Sequence, residues 1–284
     1  MRLLGQKWLK KPMEIACSAF KSHQMTAHEQ LALIALYDQE HRRAIRLPGY
    51  ETIQTAGVTR SIAASGQAYV FWQNPAHDPA QLIAQEIAWH QTRAKRLTWK
   101  LYSHDAPPGF ADALLAQGFV GEGPANQFCA LDIDAFNDAL RFPADYRIER
   151  LNSAAQLQTL IDLYGHIWPD EDNALWLSGY APALEKREDG LHLFCVFDQK
   201  GHATASGGMI HYAGQQFGHL FGGGTHPSYR RLGLHGALSA VRAQTLRARG
   251  GQWLIVDAGA QSYPLLAKRG FEPVGQVSFY SINF

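Results

Sequence analysis

Thr225-His226-Pro227-Ser228-Tyr229-Arg230-Arg231-Leu232-Gly233-Leu234-His235-Gly236-Ala237-Leu238 is a basic, glycine-bearing turn that runs straight into an amphipathic helix. A strand reads before it, from Gln216 to Phe221, and a helix after it, from Leu234 to about Arg249. Successive backbone N–H groups of such a turn point outward, and together with the positive end of the helix dipole they favour an anion. Arg230 and Arg231 add fixed charge, and Gly233 removes the Cβ that would hold a phosphate off the backbone. The stretch therefore reads as a diphosphate cradle.

The segment resembles the acyl-CoA loop of the GNAT superfamily of N-acetyltransferases, whose pattern is Gln or Arg, two residues, Gly, one residue, then Gly or Ala. Arg230 and Gly233 match the first and fourth places; the sixth holds His235, a departure, with Gly236 directly after it. The elements downstream follow the same family order. A helix ends at Gly250-Gly251, an apolar strand Trp253-Leu254-Ile255-Val256 follows, then a short helix from Ser262 to Arg269, then Gly270-Phe271. Gly270 suits a left-handed helix C-cap, with Phe271 packing back on that helix. In GNAT domains the strand before the loop splays from the strand after the helix, and the thioester end of the cofactor lies in the gap. The resemblance implies acetyl-CoA as co-substrate and no metal. The cofactor-binding residues it implies are Gly224, Thr225, His226, Arg230, Arg231, Leu232, Gly233, Leu234, His235 and Gly236.

Composition bounds the remaining possibilities. With 284 residues, 46% hydrophobic and 18% charged, the chain has material for two modest cores. A formal net charge of +1 argues against a nucleic-acid binder. Cys17, Cys129 and Cys195 lie far apart in apolar surroundings, so buried free thiols are expected instead of a zinc site or a disulfide framework. Met1-Arg2-Leu3-Leu4-Gly5-Gln6-Lys7-Trp8 has no apolar signal core, and no later run is long enough to span a bilayer. A cytoplasmic protein without a membrane partner is expected; a homodimer is allowed for.

The second half supplies a full set of elements. Tyr146 to Leu151 alternates as a strand, and Ser153 caps a helix with Leu157, Leu160, Ile161 and Tyr164 at helical spacing. A second helix is predicted over Ala174 to Arg187, then strands over Leu191 to Phe197, Ala203 to Tyr212 and Gln216 to Phe221, with Gly222-Gly223-Gly224 opening the loop. The first half repeats the closing pattern: strand Thr98 to Ser103, helix Gly109 to Gln117, Gly118-Phe119, strand Gln127 to Ile133. Upstream, Tyr69 to Trp72 reads as a strand and Pro79 to Arg96 as a helix. The turn between them, Gln73-Asn74-Pro75-Ala76-His77-Asp78, has no arginine or glycine and carries an aspartate that repels phosphate. The predicted fold is α/β (α+β): two tandem GNAT-like domains, each a mixed, mostly antiparallel sheet flanked by helices, with splayed central strands in the C-terminal one. Residues 1–140 would form a degenerate copy without a cofactor loop and 141–284 the acetyl-CoA-binding domain, with the boundary near Phe136 to Ala144.

An acyl thioester needs a neutral amine nucleophile, a donor for the oxyanion and an exit for the thiolate. An alkyl amine has a solution pKa of ~10.4, so a base is worth roughly ten- to ten-thousand-fold. Candidates are His219 on the strand entering the loop, His211 on the strand before it, and Asp257 after the apolar strand. The resemblance implies backbone N–H donors around Gly223 to Thr225 for the oxyanion. It also places an acid tyrosine four residues before the Gly of Gly-Phe, where this chain has Leu266; the substitute is Tyr263, with Ser262 beside it. The acceptor is expected along the acidic, aromatic turn between the first two helices, where Trp168, Glu171 and Trp176 would bind a cationic amine of a small molecule or peptide. The reading is an N-acetyltransferase acting by direct attack. The alternatives are a non-catalytic acyl-CoA sensor or interaction module, which Leu266 and His235 suit, and an aminoacyl transferase using charged tRNA, against which the near-neutral charge speaks.

Overall fold

A computed structural model describes residues 25–105, 107–136 and 143–284. Cys17, the Met1 to Trp8 start and most of the expected boundary, residues 137–142, lie outside the described residues. In chain order the elements are α1 (Ala27–Tyr37) with a π-helical turn (Asp38–Arg43), β1 (Glu51–Gln54), β2 (Val58–Ile62), β3 (Gln67–Gln73), α2 (Pro79–His90), β4 (Arg96–Tyr102), α3 (Phe110–Ala116), β5 (Val120–Gly121) and β6 (Asn126–Asp132). They continue with β7 (Arg147–Leu151), α4 (Leu157–Ile167), α5 (Asn173–Ser178), α6 (Ala181–Glu185), β8 (Leu191–Phe197), β9 (Ala203–Ile210), β10 (Phe217–Thr225), α7 (Leu234–Ala248), β11 (Trp253–Ala258), α8 (Tyr263–Ala267) and β12 (Glu272–Asn283).

One sheet carries all twelve strands, in the order β1-β2-β3-β4-β12-β6-β11-β10-β9-β8-β7, with β5 on the side of β12. Pairing is antiparallel except at β3–β4 and β10–β11, the two parallel pairs at the centre of each sequence repeat. The halves interleave. β6, from the first half of the sequence, lies between β11 and β12, and β12, the last strand, lies between β4 and β6. Alternation then sorts side chains to the two faces. Phe217 and Ile255 pack with Leu33 and Tyr37 of α1, while Leu220 and Leu254 pack with Ala240, Ala243 and Leu266 beneath α7 and α8. A cluster of α4, α5 and α6 side chains includes Ile45, Leu47 and Phe71 from the first half, so one core crosses the repeat. Each fully buried side chain of this size contributes roughly 1.5–3 kcal/mol.

Three elements depart from the sequence expectation for local reasons. The strand expected to stop at Phe221 runs on to Thr225, because Gly222 (φ 56°) bulges out and the chain rejoins β9 at Gly224 opposite Ser206. The helix expected over 174–187 breaks into α5 and α6, where the Tyr50 ring occupies the space a Cβ on Gly179 would need. The helix expected to reach Arg96 stops at His90, because the Lys95 and Arg96 amides donate to the Gly66 carbonyl and start β4. Among the described residues no helix is long and apolar enough to cross a membrane.

Candidate active site

β10 and β11 pair from Phe217 opposite Trp253 to Leu220 opposite Val256 and then part. Beyond that point β10 follows β9, while β11 stays on β6 as far as Ala258 opposite Gln127. The Tyr164 hydroxyl donates to the Gly222 carbonyl at 2.6 Å, replacing the ladder partner lost at the bulge. The chain leaves β10 at His226, whose ring accepts from the Ser228 amide at 3.2 Å, and the Tyr229 hydroxyl donates to Asp198 at 3.1 Å. Tyr229 thus anchors the loop. Arg230, Arg231, Leu232 and Gly233 follow as an exposed turn, with Arg231 (φ 66°) and Gly233 (φ 79°) in the left-handed region. Gly233 is the N-cap of the 15-residue α7 and offers no side-chain cap, so the first amides of the helix have no side-chain acceptor there.

His235 does not crowd the mouth of this loop. Its imidazole points under the β10 bulge, 3.6 Å from where a Cβ on Gly223 would stand. Burial, then Arg242 and Arg269, hold its pKa down at about 4, so the ring is neutral at pH 7. Gly236 leaves room for the Arg269 guanidinium, which a Cβ there would strike. Arg242 is buried beside them, donating to the Leu238 carbonyl at 2.9 Å and to the Gly208 carbonyl at 3.3 Å, without an acidic partner among the described residues. Burial pulls its pKa down to about 10.

On the opposite face, where the strands part, lies a cavity of about 400 Å³. Its walls come from both halves: Tyr69, Phe71, Thr98 and Lys100 on one side, Trp168, Glu171, Trp176 and Phe221 on the other, with His219 and Asp257 between them. Tyr164 stacks on Trp176 with centroids 5.5 Å apart and meets Trp168 edge-on at 4.8 Å. Lys100 Nζ lies 2.7 Å from Asp257 Oδ2, and His219 Nε2 lies 3.5 Å from the same oxygen. His219 Nδ1 meets the Tyr37 hydroxyl at 3.2 Å, and that hydroxyl meets Tyr102 at 3.0 Å. Burial would raise the Asp257 pKa, but Lys100 and then His219 hold the carboxyl well below the usual range. His41, also on the wall, is pushed down to about 3 by burial and then by His219.

The first half has a divergence of its own. β3 and β4 pair from Gln67 opposite Arg96 to Val70 opposite Trp99, and β3 then continues along β2. There Arg42 Nε donates to the freed Phe71 carbonyl at 2.8 Å, and its other nitrogens bind Asp38 at 2.9 Å and Asp105 at 2.7 Å. In both halves, then, a buried side chain takes up the carbonyl freed where the strands part, Arg42 in the first and Tyr164 in the second.

No protein-family model matches the sequence, and no curated protein matches it. Solved structures do. A GCN5-related N-acetyltransferase from Kribbella flavida superposes with a TM-score of 0.58 at 16% identity, over 91% of this chain and 96% of that one. A tandem GNAT protein from the clavulanic acid biosynthesis pathway gives 0.57 at 16% identity, over 91% and 94%. The chain has the tandem GNAT fold. A putative acetyltransferase of the GNAT family from Novosphingobium aromaticivorans gives 0.54 at 18% identity, over 81% and 89%.

Within this GNAT frame the structure gathers five of the expected residues, Trp168, Glu171, Trp176, His219 and Asp257, at one cavity. Tyr263 lies elsewhere, on the α8 side, packed against the cluster beneath α7. His211 is buried with Nδ1 3.0 Å from the Phe217 carbonyl, off the cavity wall. Sequence reading missed Lys100, Tyr37 and His41. Lys100 alone carried a signal, as a charge inside the apolar run Thr98 to Ser103.

Proposed function

We propose that this protein is an acetyl-CoA-dependent N-acetyltransferase that acetylates a primary amine of a small molecule or peptide. The observation that carries the reading is the parting of β10 and β11 after Leu220 and Val256, with the glycine-bearing turn following β10 and the aromatic cavity lying where the strands part. Residues 224–236 hold the diphosphate, and the thioester passes into the gap. The acceptor enters between the halves, where Glu171 attracts its charge and Trp168 and Trp176 pack against its body.

The amine nitrogen attacks the acetyl carbonyl carbon, the C–S bond breaks, and the amine proton passes to His219. Tyr37 fixes one nitrogen of that ring, and Asp257 stabilises the imidazolium that forms. Backbone amides of the 223–225 segment stabilise the oxyanion. Leu266 stands where the usual acid would be and Tyr263 packs away from the gap, so the thiolate takes its proton from water. The turn between β3 and α2, which has no arginine or glycine and carries Asp78, supports a single cofactor site, in the second half. We place the protein in the cytoplasm, without nucleic-acid or membrane partners.

The test is the melting temperature with acetyl-CoA, followed by thiol release across a panel of amines. A ligand that binds only the native state raises the melting point. Absence of any rise refutes the reading. A rise without thiol release for any amine favours a non-catalytic acyl-CoA sensor, the reading that Leu266 suits.

A further inference from the structure

The cavity between the halves carries charge at two places, and the chemistry described above uses one of them. Four carboxylates line it, Glu122, Glu171, Asp172 and Asp257, against two cations, Arg96 and Lys100. Lys100 is paired with Asp257 beside His219. Arg96 is bound to Glu122 at 2.6 Å and to the Ser281 hydroxyl at 3.2 Å. Asp172 caps α5, its Oδ1 accepting from the Leu175 amide at 2.9 Å. The Glu171 carboxylate is left without a partner among the described residues. Lys100 and Arg96 stand four residues apart on β4, a rise of about 13 Å, so the two pairs mark separate stretches of the wall. Beyond burial, the charges that act on Tyr69 are Glu122, Arg96 and Glu171, whereas those that act on Asp257 are Lys100 and His219. Glu171 therefore belongs to the Arg96 end.

A second, independent feature stands beside Glu171. Asn173 is 6% exposed and lines the cavity. Its Nδ2 donates to the Trp168 carbonyl at 2.9 Å and to the Glu171 carbonyl at 3.3 Å, which fixes the orientation of the amide. Oδ1 is thereby left as a buried acceptor with no donor among the described residues. Such an atom is costly to leave unmet. An acceptor oxygen next to a free carboxylate, on a wall that also carries Trp168 and Trp176, suits a cationic N–H donor. The reacting nitrogen is not that donor. It must shed its charge to attack, and its base lies at the Lys100–Asp257 end. The group that meets Glu171 and Asn173 is one that stays protonated throughout the reaction.

We propose that the acceptor is a linear diamine, acetylated on the nitrogen that reaches His219 while its second, protonated nitrogen is held by Glu171 and Asn173 Oδ1. The assignment rests on the acetyltransferase reading above and adds the substrate class to it. The first nitrogen forms the amide bond, the C–S bond breaks and the proton passes to His219; the second nitrogen keeps its proton and its bonds. The alkyl spacer lies along the aromatic walls, with Tyr69 and Phe71 from the first half on one side and Trp176 from the second on the other. Because the second charge is the same in the ground and transition states, its recognition acts on KM and leaves kcat nearly as it was.

The experiment is steady-state thiol release from acetyl-CoA with three acceptor series matched in chain length, run on the wild type and Glu171→Gln. The series are α,ω-diamines from 1,4-diaminobutane to 1,8-diaminooctane, the corresponding n-alkylamines, and the corresponding ω-amino acids. One charge-assisted contact is expected to give the best diamine a kcat/KM roughly 10- to 100-fold above its alkylamine, expressed in KM, with the ω-amino acid below both. In Glu171→Gln the ratio of diamine to alkylamine should fall toward one. Equal turnover of diamine and alkylamine in the wild type, or a diamine preference that survives in Glu171→Gln, overturns the proposal and leaves the acetyltransferase reading standing. So does a preference for the ω-amino acid, which would mean that Arg96 reads a carboxylate at that end. Absence of thiol release with every amine overturns both.

Discussion

Replacing Lys100 with Met should destabilise the protein far more than replacing its partner Asp257 with Asn. The pair is buried, with side-chain exposures of 7% and 10%, and 2.7 Å apart. At an effective dielectric of ~20 the Coulomb attraction over that distance is about 6 kcal/mol, most of which offsets desolvation of the two charges. Removing Lys100 leaves a buried carboxylate with the His219 imidazole 3.5 Å away, and breaking a buried pair in this way costs about 3–5 kcal/mol. Asp257→Asn keeps an amide oxygen beside the ammonium that can still accept a hydrogen bond, and a loss nearer ~2 kcal/mol is expected. Urea unfolding followed by tryptophan fluorescence on the two single variants and the double variant gives the coupling energy, expected above roughly 1.5 kcal/mol. Single losses below about 1 kcal/mol with coupling within ~0.5 kcal/mol of zero would show that the pair does not hold the halves together at this point.

Gly233→Glu places a carboxylate and a Cβ at a left-handed turn facing the cofactor, so the melting-point rise with acetyl-CoA should vanish while the unliganded protein stays folded by circular dichroism. Glu171→Gln should raise KM for cationic amines several-fold with little change in kcat, as steady-state assays at low salt would read. His219→Gln should lower kcat by roughly 10²–10⁴ with little change in KM, measured by steady-state kinetics. Stability itself should fall on acidification. His41, held at about 3, and His90 and His192, each held at about 4, are neutral when folded. Their folded pKa values lie below the unfolded value of ~6.5, so between that pH and ~4 the unfolded chain binds more protons and stability declines by up to ~1.4 kcal/mol per pH unit for each. Thermal unfolding at pH 7 and pH 5 checks the sign.

The turn over residues 225–233 was legible as a turn because its signals are local. A strand end, two arginines, a glycine and a helix start lie within one short stretch, and Gly233 does adopt the left-handed conformation such a turn requires. The acidic, aromatic turn was legible for the same reason, since Trp168, Glu171 and Trp176 are neighbours in sequence as well as at the cavity. Lys100 and Tyr37 were not. Their roles come from residues more than 150 positions away, Asp257 and His219, and no periodicity reports a partner at that distance. The interleaving of β6 and β12 was hidden likewise, because an apolar strand reads the same whichever neighbour it joins. Helix ends were misplaced where tertiary contacts decide them, as at Gly179 against Tyr50.

The interleaved strands also bear on synthesis of the protein. β4, made early, pairs along its length with β12, and the backbone bond from Ser103 to Gln276 closes a separation of 173 residues. While the chain is emerging from the ribosome, the first repeat has an open edge at β4 that waits for the last strand to be translated. Its core therefore cannot close vectorially, half by half. Until nearly the whole sequence is available that edge stays unpaired, and an unpaired strand edge is a site of aggregation. A long-range closure of this kind also predicts slow refolding, limited by a single late docking event and not by the helices.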